Sequence, residues 1–241
     1  MSINAWRPTF VLLSCEHAGN EVPAAYTQLF QDAGGVLATH RGYDIGALGV
    51  AQRLAARLAA PLVFSTVTRL LVDLNRSLDH PGVFSEFTQA LDEHEQASIV
   101  EGYYTPHRST ITSNIDALIN AGQRVLHIGI HSCTDELDGE VRGLDVSLLF
   151  DPERGSESLI TKQWRDAMAG IKPDYRYPFN TPYLGTDDGL VTTLRERYAA
   201  DAYAGIEVEV RQGLVQHADD QHKIGDLLAD SLRASELHGA H

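Results

Sequence analysis

His17 and His131 each stand where an apolar run gives way to polar residues, and between them they offer two ring nitrogens to a divalent metal. Hydrolytic zinc chemistry takes three protein ligands from His, Asp or Glu and leaves one position for water. The segment Ser14-Cys-Glu-His-Ala-Gly-Asn-Glu-Val-Pro23 adds carboxylates and an amide directly after a short apolar run. Asp44, Glu21, Asn20 and Glu16 are the available third donors, and spacing does not choose among them. Asp44 also suits the N-cap of the helical pattern that follows it. In Val125-Leu-His-Ile-Gly-Ile-His131, His127 and His131 share one strand face but lie roughly 13 Å apart. Only one of them can join a given site, and His131, at the strand exit, is the candidate. His127 is expected to be a core histidine bonded to a neighbour.

Other side chains could work beside such a metal. In Gly205-Ile-Glu-Val-Glu-Val-Arg211, the apolar residues share one face and Glu207, Glu209 and Arg211 the other. Two carboxylates on a buried strand are costly unless they are paired or functional. A glutamate beside a zinc-bound water is the general base such a hydrolase needs, the alternative for this pair being a Glu–Arg ladder on an edge strand. Arg76 offers a planar donor fork suited to a substrate carboxylate, with Asn75 to orient it. In Tyr103-Tyr-Thr-Pro-His-Arg108, read as a loop before a helix, His107 and Arg108 are either substrate contacts or first-turn residues.

The elements that must position these groups follow from periodicity. Apolar runs at Phe10–Ser14, Leu62–Ser65, Leu70–Leu74, Val125–His131, Val146–Phe150 and Ile206–Val210 predict strands. Helical spacing runs from Asp44 through Leu58, over Ile111–Ile119 and Ser156–Ala169, and again beyond Gly213. Thr186-Asp-Asp-Gly189 reads as a turn and a helix start. Leu62–Ser65 and Leu70–Leu74 are joined too tightly for a helical crossover, which predicts antiparallel pairing and a mixed sheet with helices on both faces. The chemically competent residues then collect at strand ends, where α/β folds bind ligands. No repeat or linker divides the 241 residues, so a single domain over 1–241 is expected.

Composition narrows the partners. A formal charge of −14 argues against nucleic acid and would repel an anionic substrate at long range, so local arginines must reverse that field. No apolar run reaches the roughly 18 residues of a membrane span, and Met1–Pro8 lacks the features of a signal peptide. The two cysteines, Cys15 and Cys133, make no disulfide framework, which points to the cytoplasm. Among the eleven histidines, His238 and His241 sit in a polar tail and are expected at the surface. No Gly-x-Ser-x-Gly elbow or dinucleotide fingerprint is present.

Taken together, Cys15-Glu-His-Ala-Gly-Asn20 with Pro23, His40-Arg-Gly-Tyr-Asp-Ile-Gly46, Arg69-Leu70 with Asp73-Leu-Asn-Arg76, Tyr104 to His107, Ile130-His-Ser132 and Glu209-Val-Arg-Gln212 resemble the N-formylglutamate amidohydrolase family. They occur in family order and span nearly the whole chain. The resemblance implies a zinc-carboxypeptidase-like hydrolase with a three-layer α/β/α sandwich around a mixed sheet. It implies a divalent metal, zinc first, on His17, Asp44 and His131, with Asp44 preferred because its segment matches a family motif. Glu209 would be the base, and Asn75 and Arg76 would hold the carboxylate of a small anionic acyl-amino acid. Arg69 or His107 would stabilise the oxyanion, and Tyr104 would contact substrate. The sequence departs from the carboxypeptidase His-x-x-Glu pattern, because Asn20 stands three residues after His17.

Overall fold

Five strands form the central sheet in the order β2-β1-β3-β7-β6. A computed structural model describes residues 6–235; His238 and His241 lie outside the described residues. The strands are β1 (Phe10–Cys15), β2 (Leu62–Phe64), β3 (Val125–Cys133), β6 (Val146–Leu149) and β7 (Tyr203–Arg211), while β4 (Glu136–Leu137) and β5 (Glu140–Val141) make a separate hairpin. The helices are α1 (Gly34–Leu37), α2 (Ala47–Leu58), α3 (Glu93–Ile99), α4 (Thr105–Asn120), α5 (Gly155–Ile171), α6 (Leu190–Arg197) and α7 (Ala218–Ala234). None of them is long and apolar enough to cross a membrane.

β1 and β3 are buried nearly throughout, the pattern of strands covered on both faces. Leu13, Cys15, Leu126, Ile128, Ile130, Ile206, Val208 and Val210 point to one side, where α2, α5 and α7 cover them. On α2 the buried stripe is Ala47, Val50, Ala51 and Leu54, the spacing of one helical face. On the opposite side, Leu12, Val125 and Tyr203 pack against Ile111 and Ile115 of α4 and Leu190 and Leu194 of α6. The result is the expected three-layer α/β/α sandwich with a mixed sheet.

The sheet is mixed for a different reason from the one predicted. β2, β1, β3 and β7 are all parallel, and β6 alone runs antiparallel, against β7. Residues Leu70–Leu74, predicted as a strand, form turns instead. Thr68 Oγ1 accepts from Leu70 N, Leu71 N donates to Thr68 O, and Asp73 Oδ1 accepts from Asn75 N at 2.9 Å. Such local bonds compete with a ladder. The run is apolar because Leu70, Leu71, Val72 and Leu74 all enter a satellite core with Phe30, Val83, Ile99 and Tyr104. Leu71 is fully buried there. Tyr103–Arg108, expected as a loop, is helical: a π turn over Val100–Tyr104 joins α3 to α4.

Two further features fix the walls around the strand ends. Gly46, at φ +81, turns the chain into α2, and a Cβ there would lie 2.4 Å from the Val215 carbonyl. Buried Glu157 on α5 accepts from Arg195 Nε on α6 and from the Gly205 amide at 3.0 Å, while Arg195 also donates to the carbonyls of Gly185 and Gly205. That network anchors the 183–188 segment to the sheet.

Candidate active site

At the carboxyl ends of the parallel strands the α4/α6 side of the sheet changes from apolar to polar. A cavity opens there, lined among others by His17, Asp44, Arg69, Asn75, Arg76, His131, Glu207 and Glu209. The register explains the grouping, because His131 on β3 and Glu209 on β7 are Cα partners in parallel strands and project to the same face. His17 comes from the turn after β1, and its carbonyl accepts the Asp44 amide at 3.0 Å, which holds the segment before α2 against it.

His17, Asp44 and His131 offer ligand atoms within 4.8 Å of one another, all buried. Asp44 Oδ2 lies 2.9 Å from His131 Nδ1 and 3.5 Å from His17 Nδ1. The N-cap position of α2 is Gly46, so the Asp44 side chain is not spent there. Of its rivals, Glu21 is exposed and accepts from Thr66, Asn20 donates to the Leu37 carbonyl, and Glu16 lies behind His131. The far ring nitrogens meet carboxylates: His17 Nε2 is 2.7 Å from Asp73, and His131 Nε2 is 3.1 Å from Glu16. A carboxylate on the outer nitrogen fixes the tautomer and orientation of a metal-binding imidazole. His17 Nδ1 is buried without a hydrogen-bond partner, an orphan that a cation would satisfy. Two imidazoles and a carboxylate, each backed by a second group, fit a zinc-like ion with room for water.

The same charges set the local electrostatics. Burial opposes a proton on His131, but hydrogen bonds to Asp44 and Glu16 outweigh it and raise its pKa well above the usual value. A positive charge is therefore favoured between these carboxylates. Glu209 has one buried oxygen, Oε2, with no partner. Burial pushes its carboxyl up to about 7, with His131 opposing and Asp44 and Glu207 adding to the rise. Glu207, by contrast, accepts from Asn75 Nδ2 at 3.0 Å. β7 is flanked by β3 and β6, and Arg211 pairs with Asp145 and Asp135, so no edge-strand Glu–Arg ladder forms.

Arg69 donates to Asp73 at 2.8 Å and to Asp44 at 3.3 Å, and Arg76 donates to the Asp188 carbonyl at 3.0 Å. Tyr104 and His107 do not line this cavity. The Tyr104 hydroxyl donates to the Arg76 carbonyl at 2.8 Å, Arg108 donates to the same carbonyl at 3.0 Å, and His107 faces Glu16 at 3.5 Å. His127 is a core residue, between the hydroxyls of Tyr203 at 2.9 Å and Ser14 at 2.8 Å. Sequence reasoning missed Asp73 as a partner of His17, although it lies within a segment already singled out. It also missed Arg142 and Tyr183 on the cavity wall, which stand in turn-rich stretches with no periodic signal.

Comparison with known proteins identifies the family. Residues 9–216 match the N-formylglutamate amidohydrolase family. Among solved structures, gene product Atu2144 from Agrobacterium tumefaciens superposes with a TM-score of 0.82 at 27% identity, covering 98% of this chain and 93% of that one. N-formylglutamate amidohydrolase from Ralstonia eutropha JMP134 shares the fold, with a TM-score of 0.63 at 17% identity over 96% of each chain. The curated proteins give no match. The resemblance seen in the motifs is thereby borne out: the chain belongs to the N-formylglutamate amidohydrolase family and is a hydrolase of linear amide C–N bonds.

Proposed function

We propose that the protein hydrolyses the amide of a small N-acyl amino acid, N-formylglutamate first among them, with a divalent metal held by His17, Asp44 and His131. The carrying observation is the buried His–Asp–His cradle, with an orphaned His17 Nδ1, set beside a glutamate whose Oε2 has no partner. Zinc is the ion best suited to that donor set, and when bound it supplies Lewis acidity toward the scissile carbonyl and toward water.

The residues then divide the work. Glu209 takes a proton from the attacking water at Oε2 and returns it to the nitrogen of the leaving amine. Its elevated pKa suits both transfers near neutral pH. Arg76, its backbone held by Tyr104 and Arg108, pairs with the substrate carboxylate. Asn75, fixed between Glu207 and the Leu190 amide, keeps that corner rigid. Arg69 faces the cavity and stabilises the oxyanion, while Asp73 and Asp44 hold its guanidinium in place. The products are formate and glutamate.

The test is elemental analysis of the purified protein together with formate release from N-formylglutamate before and after chelation. About one ion per chain, and release that stops on chelation and returns with zinc, is the expected result. Release of acetate from N-acetyl amino acids in place of formate would move the assignment to a related deacylase. Full activity in protein free of metal would end the ligand assignment.

A further inference from the structure

Three guanidinium groups line the cavity: Arg69, Arg76 and Arg142. Arg69 is committed to Asp73 and Asp44. Among the described residues, neither Arg76 nor Arg142 forms an ion pair with a carboxylate, in a chain that holds 33 acidic residues against 19 basic ones. Arg142 follows the β4–β5 hairpin and lines the cavity together with Tyr183 and Leu184 of the 183–188 segment. Its Nη2 lies 3.0 Å from the Tyr183 hydroxyl, and its guanidinium stacks over that ring at 5.0 Å from the centroid. Its Nη1 is buried without a hydrogen-bond partner. A buried guanidinium N–H left without an acceptor is costly, and an anionic oxygen brought by a ligand removes that cost.

We propose that Arg142, oriented by Tyr183, is the specificity-determining residue that pairs with a second carboxylate on the substrate side chain, while Arg76 takes the one beside the scissile amide. This rests on the amidohydrolase reading and adds to it the residue that meets the side-chain carboxylate. One cavity with two guanidinium groups that lack a carboxylate partner is matched by a ligand with two carboxylates. A substrate with one carboxylate leaves Arg142 Nη1 unsatisfied. The nearby charges agree: burial, then Arg142, Arg41 and Arg69, depress the pKa of His40 on the cavity wall, the mark of a positive corner in an acidic protein.

The experiment compares N-formyl-L-glutamate with its neutral isostere N-formyl-L-glutamine, using the zinc-loaded wild type, Arg142→Met and Arg142→Lys. Calorimetry of free L-glutamate and L-glutamine is run on the same proteins. The wild type should prefer the acid by about 10- to 100-fold in kcat/KM, as expected for a charged hydrogen bond, and should bind glutamate more tightly than glutamine. In Arg142→Met both preferences should collapse toward one, mainly through KM, and Arg142→Lys should restore part of them. An unchanged acid-over-amide ratio in Arg142→Met, or equal losses on both substrates, overturns the proposal while leaving the amidohydrolase reading intact. If the wild type cleaves neither formyl compound, that reading fails instead. Calorimetry then decides on Arg142: glutamate binding lost in Arg142→Met upholds its role, and binding that is unchanged, or absent from the wild type, overturns it.

Discussion

At His17 and His131 one device is used twice: Nδ1 faces Asp44, and the outer nitrogen faces a carboxylate of its own, Asp73 or Glu16. Each ring is thereby hydrogen-bonded at one nitrogen, His17 Nε2 to Asp73 and His131 Nδ1 to Asp44, with a further carboxylate facing the other. Glu209 differs in kind, because its Oε2 is buried beside the cradle with nothing to hold. Glu209→Gln keeps the shape and would remove the proposed base. Steady-state assays should show kcat lower by about 100- to 10,000-fold, the usual worth of a positioned base. Metal content by elemental analysis should stay at the wild-type level, which separates loss of the base from loss of the cradle.

Among the elements, the ones that carry a strong period were legible and the ones built from local bonds were not. β1, β3 and β7 alternate around Leu12–Leu13, Ile128–Ile130 and Ile206–Val210, and their ends deliver His17, His131 and Glu209 as the motifs suggested. Leu70–Leu74 has a strand's composition, but its apolar side chains fill a satellite core under a turn-rich segment. Composition cannot separate those two ways of burying leucine. Tyr104 and His107 were expected at the substrate, yet the π turn before α4 aims them at the Arg76 carbonyl and at Glu16. Asp44 could not be told from a helix cap because the true turn into α2 is made two residues later, at Gly46. That glycine gives the element its own prediction. Gly46→Ala combines a left-handed φ with a Cβ driven into the Val215 carbonyl, and it should cost about 1–3 kcal/mol or more in denaturant unfolding.

For the whole molecule, the buried His127 links stability to pH. Burial holds its pKa down to about 4, against the ordinary 6.5. The unfolded chain takes up a proton near 6.5 and the folded chain only near 4, so falling pH favours unfolding throughout that window. The full penalty, at 1.36 kcal/mol per unit, is about 3 kcal/mol. In His127→Gln this contribution is absent. Unfolding curves across the window should show wild type losing about 3 kcal/mol more than the variant as pH falls, and parallel pH dependence of the two proteins would refute the assignment. The three cradle donors also come from far-apart stretches of chain, with Asp44 and His131 separated by 87 residues. Closing a flexible loop of that size costs on the order of 4 kcal/mol in chain entropy before any contact repays it. In a zinc finger the ligands are close neighbours and metal binding itself carries the folding, whereas here the register of the sheet is what brings the three donors together. The ion proposed for this cradle would then be a late guest, and chelation is expected to leave the unfolding transition of the sheet in place.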